Sequence, residues 1–310
     1  MRVAVAGYGV QGAKRKFFAG ADCVAVVDPV RPEAKFRSLA DVPLDSYDAV
    51  LACIPDAPKF ELLSYCIEHG KHVLVEKPLW VESERDILAL NERAQAKGVV
   101  VYTAYNHRFE PHYVRMRDLI ASGELGQIYS CRMFYGNGTA RLVRDSAWRD
   151  EGAGVLPDLG SHLLDTCRFW FGEVAADFSV SAANRFENRA PDHVIIANEG
   201  MRPRIELEMT LLMWRNHFTC DILAENGTAH ITSLCKWGPT TFTRRTRVLP
   251  SGRPPEESTT LVQDDPTWAA EYAYFEGLCE SGAGTDLSSD LWLHRVLSRL
   301  ADDATNGAAA

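Results

Sequence analysis

The chain has 310 residues, enough at about 150 per domain for two domains with cores of their own. Hydrophobic residues make up 46% and charged residues 24%, a composition that excludes a disordered or fibrous chain. A net charge of −9 disfavours nonspecific attraction to nucleic acid or an anionic membrane, so neither is expected as a partner.

No apolar run approaches the roughly 18 residues of a membrane span. Met1-Arg2 leads straight into the apolar run Val3–Ala6, without the longer apolar region that an export signal requires. None of the eight cysteines forms a CxxC pair, and most have apolar neighbours. Such cysteines read as small buried hydrophobes in a reducing compartment, and a cytoplasmic location is expected.

Strand signals fall at Val3–Ala6, Cys23–Val27, Ala49–Cys53, His72–Val75 and Val99–Thr103. Helical patterns fall between them at Val10–Ala19, Lys59–His69 and Glu82–Lys97, with Ile87, Leu88, Leu90 and Ala94 as the apolar stripe of the last. Gly70 and Gly98 stand where helices should stop. Alternating strands and helices predict parallel βαβ units in a doubly wound α/β sheet.

From about residue 125 the pattern changes. Strand-like stretches follow at Gln127–Tyr135, Asp177–Ala183, His193–Ala197, Arg204–Leu211, His217–Ala224 and Thr228–Ser233. Glu225-Asn226-Gly227-Thr228 signals a hairpin, because Asn-Gly tolerates positive φ. Helical patterns occur at Asp158–Phe171, at Pro266–Glu280 and from Asp290. Residues 252–257 read as a surface loop and 302–310 as a frayed tail. The expected organisation is a nucleotide-binding domain over 1–118 and an α/β domain with a large, mostly antiparallel open sheet over 119–310.

Gly7-Tyr-Gly9-Val-Gln-Gly12 follows the first strand and opens a helix. The first glycine serves the sharp reversal, the second admits a pyrophosphate to the backbone, and the third allows close helix–strand packing. Val10 and Gln11 begin a helix whose N–H groups and dipole favour phosphate. Asp28 closes the second strand 21 positions after Gly7, placed to accept hydrogen bonds from an adenosine ribose and to repel a 2′-phosphate. NAD(H) is therefore expected over NADP(H), although Arg31 lies close enough in sequence to meet a phosphate.

Glu76-Lys77-Pro78 sits at the carboxyl end of an expected parallel strand, the edge where open α/β sheets bind ligands. A lysine beside a nicotinamide can hydrogen-bond a substrate hydroxyl and stabilise the developing alkoxide. On the helix from Asp158, the apolar stripe is Leu159, Leu163, Thr166, Cys167 and Trp170. Asp158, His162, Asp165 and Phe169 form the adjoining stripe. An aspartate that orients His162 would give a general acid/base near neutral pH. No cysteine or further histidine clusters there, and no metal site is expected.

These residues carry a resemblance. Gly7-x-Gly9-x-x-Gly12, Glu76-Lys77-Pro78, Asn106-His-Arg-Phe109, Gly123-Glu-Leu-Gly126, Trp148-Arg149 and Asp158-x-Gly160-x-His162-x-x-Asp165 stand in the order found in the glucose–fructose oxidoreductase/inositol dehydrogenase (Gfo/Idh/MocA) family. The likeness spans nearly the whole chain, and its Glu-Lys-Pro and Asp-x-Gly-x-His pairing is far more specific than the glycine pattern. It implies an N-terminal Rossmann domain and a C-terminal α/β domain, with nicotinamide and substrate meeting between them. It implies catalytic roles for Lys77, Asp158 and His162, cofactor contacts from Ile54, Pro55, Glu76 and Lys77, and substrate contacts from Asn106 and Arg149 beside the catalytic three. It also implies a homodimer or homotetramer formed through the C-terminal sheet.

Lys59 follows Ile54-Pro55-Asp56 where many members of that family have His, Trp80 replaces a small residue, and the segment between Asp28 and Asp48 is short. The expected activity is hydride transfer between NAD(P) and a hydroxyl or ketone carbon of a sugar, cyclitol or nucleotide-linked sugar. Two alternatives stand beside it: a dinucleotide-binding sensor without turnover, and an NAD-dependent glycosidase.

Overall fold

The computed structural model describes residues 1–146, 149–172, 177–198 and 202–306. Trp148 of the Trp-Arg pair lies outside the described residues, as do the last four of the chain. Two compact units form: Met1–Asn106 with Thr267–His294, and His107–Pro266 with Arg295–Ala310. A single cut near residue 118 is simpler than this chain path, because Thr267–His294 packs with the first unit.

The first unit is built on five parallel strands, β1 (Val3–Ala6), β2 (Cys23–Val27), β3 (Ala49–Ala52), β4 (His72–Glu76) and β5 (Val101–Ala104), in the order β2-β1-β3-β4-β5. Helices α1 (Val10–Ala19), α2 (Lys59–Glu68) and α3 (Glu84–Lys97) connect them. Strands β1 and β3 are buried throughout, as a sheet covered on both faces requires. Ala4 and Ala6 face a core with Leu63, Ile67, Ile87 and Leu90 of α2 and α3. Val3 and Val5 face the opposite core, with Tyr272 and Phe275. Ser83 and Asp86 close a capping box at the start of α3, and Gly98 at φ 63° ends it in the left-handed conformation.

The second unit begins with α4 (Pro111–Ala121), β6 (Ile128–Gly136) and the short α5 (Ala140–Arg144). A π-turn over Leu156–Gly160 then runs into α6 (Ser161–Phe171). Seven more strands follow: β7 (Ser179–Asn184), β8 (His193–Ala197), β9 (Arg204–Thr210), β10 (His217–Ala224), β11 (Gly227–Thr232), β12 (Thr240–Thr246) and β13 (Glu256–Leu261). Eight strands thus form one sheet in the order β13-β12-β11-β10-β6-β9-β8-β7. Every neighbouring pair is antiparallel except β6 with β9. Ile205, Leu207 and Met209 of β9 are buried, while Glu206 and Glu208 point to the other face.

The hairpin at residues 224–227 forms, but for a different reason than the Asn-Gly pair suggests. Glu225 and Asn226 make the turn, and Asn226 is not among the residues with positive φ. Gly227 pairs with Ala224 inside the ladder at φ 154°, where an added Cβ would stand 2.0 Å from the Arg245 carbonyl oxygen. Residues 252–257 are not all loop, because β13 starts at Glu256 and pairs with β12. Nor does the chain fray at Asp302. Helix α7 (Thr267–Ser281) is followed by α8 (Ser288–Asn306), which takes in the expected tail as far as Asn306. Among the described residues, no helix is long and apolar enough to cross a membrane.

Candidate active site

In the first unit the expected nucleotide residues gather at the carboxyl ends of β1 to β4. Gly7 has φ 87°, and a Cβ there would lie 2.3 Å from the Cys53 carbonyl oxygen. A Cβ on Gly12 would lie 1.9 Å from the Gly7 carbonyl oxygen. Backbone packing therefore demands glycine at the first and third positions. At Gly9 an added Cβ meets no atom within 4 Å, so packing makes no such demand there. The open space in front of Gly9, at the exposed N-terminus formed with Val10 and Gln11, fits a pyrophosphate against the backbone.

Asp28 Oδ2 accepts a hydrogen bond from the Tyr8 N–H at 2.7 Å, and Oδ1 accepts from Val30 and Arg31 at 2.9 and 2.8 Å. Partial burial opposes its charge, but these three amides and the nearby Arg31 guanidinium outweigh burial and lower its pKa. Asp28 thus joins the glycine turn to the segment after β2 and remains anionic. Ile54, half-buried, and Pro55, exposed, follow β3 on the same edge.

Glu76 ends β4 and is held by a residue that sequence reasoning missed. Arg15 of α1 donates from Nε to Glu76 Oε1 at 2.7 Å, and its NH1 lies 2.7 Å from Glu271 Oε2. Its guanidinium also stacks 4.3 Å over the Trp268 ring. Burial opposes the Arg15 charge, yet Glu76 and Glu271 together raise its pKa. Lys77 follows at the strand end, partly buried.

Lys59, at the N-terminus of α2, reaches the same edge. Its buried Nζ lies 2.6 Å from Asp56 Oδ1 and donates to the Pro78 carbonyl oxygen at 2.5 Å. Burial lowers its pKa against the pull of Asp56, and the neighbouring Lys77 charge acts in the same direction. Asn106 is buried, and its Nδ2 donates to Thr267 Oγ1 at 2.8 Å.

In the second unit, α6 buries its apolar stripe of Leu163, Thr166, Cys167 and Trp170, with Leu159 buried in the preceding π-turn. His162 and Asp165 are buried as well. The partner of Asp165 is a cation from outside the helix. Its carboxylate is gripped by the Arg108 guanidinium, with Nε 2.9 Å from Oδ2 and a second, shorter contact from NH2 to Oδ1. Burial raises the Asp165 pKa in spite of Arg108 and Arg168. Asp158 belongs to the π-turn, and its Oδ2 stands 3.7 Å from Arg149 NH2.

The immediate neighbour of the His162 ring is another imidazole. His107 stacks on it with ring centroids 4.0 Å apart and planes 19° from parallel. The Tyr135 ring lies 5.5 Å from His107 and 6.1 Å from His162. Lys236, on the turn Cys235–Trp237 between β11 and β12, places Nζ 3.1 Å from His107 Nε2 and 3.2 Å from the Tyr135 hydroxyl. His107 stands inside the Asn106–Phe109 motif, but nothing in the sequence connects it with Lys236, 129 positions later.

Residues 1–105 match the profile of the oxidoreductase family with an NAD-binding Rossmann fold, and residues 113–230 match the GFO/IDH/MocA C-terminal domain. The scyllo-inositol 2-dehydrogenase (NADP(+)) IolW of Bacillus subtilis is 30% identical over 128 residues, 40% of this chain and 35% of the relative. Inositol 2-dehydrogenase 2 of Mycolicibacterium vanbaalenii is 29% identical over 214 residues, 63% of this chain and 60% of the relative. The chain therefore spans between about a third and three fifths of the length of these relatives. The solved structure of a levoglucosan dehydrogenase with NADH shares the fold, with TM-score 0.79 and 17% identity over 99% of this chain and 97% of that one. The chain belongs to the Gfo/Idh/MocA family of oxidoreductases.

Proposed function

We propose that this chain is an NAD(P)-dependent oxidoreductase that interconverts a hydroxyl and a ketone carbon on a sugar, cyclitol or nucleotide-linked sugar. The observation that carries the reading is the glycine turn, whose first and third glycines are fixed by packing while Gly9 faces open space, in a chain of this family. Gly7, Gly9, Val10, Gln11 and Gly12 would hold the pyrophosphate, with Ile54, Pro55 and Glu76 along the nicotinamide side. Asp28 would take the adenosine ribose, and its persistent negative charge favours NAD over NADP.

In the oxidative direction, His162 accepts the hydroxyl proton. Lys77 donates a hydrogen bond to the same oxygen and stabilises the negative charge that develops on it. Asp158 assists His162 electrostatically, and Arg149 and Asn106 contact substrate or steady the residues that do. A nicotinamide held along Ile54, Pro55 and Glu76 would supply the hydride acceptor for the carbinol carbon. The reverse reaction uses the same groups with opposite protonation.

Relatives named as inositol and levoglucosan dehydrogenases support a small polyhydroxylated substrate. Assembly as a homodimer or homotetramer would use the open sheet face, where Leu223 is 50% exposed beside the Arg132–Glu206 pair. The cytoplasmic assignment rests on the cysteine usage read from sequence.

The test is an NAD(P)H-absorbance screen of the whole chain against polyols, aldoses and sugar nucleotides in both directions. Turnover with one class establishes the activity. Binding of NADH with no turnover across the panel would favour a sensor. Sugar release from an aryl glycoside, without net change in NADH, would favour a glycosidase.

A further inference from the structure

Lys236 is a cation that the proposed chemistry does not use. Its Nζ faces His107 Nε2 at 3.1 Å and the Tyr135 hydroxyl at 3.2 Å, and lies 4.6 Å from the centre of the Trp237 ring. An ammonium has donors only, so the His107 nitrogen that meets it must present a lone pair. His107 is then neutral, with its proton on Nδ1. A second cation in the stacked His162 ring, 4.0 Å from His107, would be disfavoured by the nearby ammonium.

We propose that Lys236 is a positioning residue that holds the stacked His107–His162 pair in its neutral form, so that His162 presents a lone pair to an incoming hydroxyl.

The other charged groups fit this role. Glu110, Asp265 and Asp158 act on Lys236 with opposite charge, so the position is not built to hold an anionic substrate. Glu110 is buried, and its Oε2 accepts the Cys235 N–H at 3.2 Å, which fixes the turn that carries Lys236. Asp158 faces Arg149, and on the His162 helix Asp165 is taken by Arg108. Burial pulls the Lys236 pKa down to about 8 against those three carboxylates, so the ammonium dominates at neutral pH and is lost just above it.

This inference rests on His162 as the proton acceptor, but its test does not need turnover. The full-length chain is labelled on histidine ring nitrogens and titrated by NMR, with His162 identified by the loss of its signals in His162→Gln. In Lys236→Met the His162 midpoint should rise by about one pH unit, and Lys236→Arg should return it towards wild type. Wild type supplies a readout that survives a misfolded variant: the His107 ring signals should inflect again near pH 8 as Lys236 loses its proton. An unmoved His162 midpoint in folded Lys236→Met, or a wild-type His107 signal without that inflection, overturns the proposal. If His162→Gln retains turnover instead, the acid–base reading fails while the electrostatic coupling stands.

Discussion

Arg15 and Glu76 meet at 2.7 Å between α1 and the end of β4, and this ion pair ties the glycine-turn helix to the Glu-Lys-Pro segment. Arg15 also meets Glu271 of α7, so one side chain joins three elements of the unit. Removing it leaves two carboxylates with little solvent and without the cation opposite them. Arg15→Met should lower the stability of the chain by about 3 kcal/mol in urea denaturation, the cost of breaking a buried charge network from one side. It should also weaken NADH binding, measured by fluorescence titration, because Glu76 loses its anchor. A variant with wild-type stability and affinity would show that the pair is dispensable.

Asp28 offers a sharper test of cofactor choice. Its carboxylate already accepts three backbone amides, so it shapes the turn, and in the proposed reading its charge also meets the ribose. Asp28→Asn removes the charge; its one carbonyl oxygen can keep the Val30 and Arg31 amides, while the Tyr8 N–H loses its acceptor. Affinity for NADH should fall about tenfold, the scale of one charged hydrogen bond, while NADPH affinity falls less or rises. Fluorescence titrations with both cofactors give the ratio directly. An unchanged ratio would make Asp28 a turn residue only.

The catalytic assignments separate chemistry from binding. Lys77→Ala and His162→Ala should each lower turnover by about 10²- to 10⁴-fold, the range for a positioned proton-transfer group. NADH affinity should remain close to wild type in both. Steady-state rates on the substrate found in the screen, with NADH titrations alongside, decide this. A large loss of cofactor binding would show that the residue belongs to the nucleotide site.

The first unit was legible because its strands are short apolar runs buried on both faces, and glycines mark the helix ends at Gly70 and Gly98. Strands β12 and β13 were not. Phe242 is the one large apolar side chain buried in β12, and β13 is exposed or half-exposed throughout. These two strands, at one end of the sheet, are held to each other by cross-strand polar pairs such as Arg245 with Glu256, which leave no hydrophobic period to read.

The site divides in the same way. Gly7, Asp28, Lys77 and His162 stand at fixed spacings from a strand or along a helix, which a sequence displays. Arg15, His107 and Lys236 matter through contacts such as Arg15–Glu76 and His107–Lys236, 61 and 129 positions apart, which only folding supplies. Asp165 illustrates the limit: helical spacing put it on the stripe of Asp158 and His162, but only the fold reveals Arg108 as the partner of its carboxylate.

Asp48 gives a pH dependence with a definite sign. Arg2 donates to its carboxylate from its side chain and its backbone N–H, which lowers the Asp48 pKa from 3.8 to about 2. A depressed carboxylate stabilises the fold above its unfolded pKa and loses that contribution as pH falls through the folded one. Asp48→Asn should therefore be less stable than wild type at pH 7 and 5, and the gap should narrow as pH drops from 3.8 towards 2. The pair is partly exposed, so the difference should be small and shrink in salt. Urea denaturation of both chains at pH 7, 5 and 3 measures it. A gap that widens on acidification would reverse the sign.

Lys59 supports the Glu-Lys-Pro turn from the neighbouring helix. Its buried ammonium bridges Asp56, after β3, and the Pro78 carbonyl, directly after Lys77. It therefore fixes the path of the Glu-Lys-Pro turn from a neighbouring strand end. Lys59→Met keeps the length and apolar stem but removes both contacts, leaving the Pro78 carbonyl without its donor. Turnover should fall about tenfold, as expected when a proton-transfer group is displaced by a fraction of an ångström. Lys59→Arg should recover part of the loss, since a guanidinium can still span the two acceptors. NADH affinity should change much less than turnover, because the pyrophosphate cradle at Gly7–Gly12 does not depend on Pro78. Equal losses in affinity and turnover would place Lys59 in the cofactor site rather than behind Lys77.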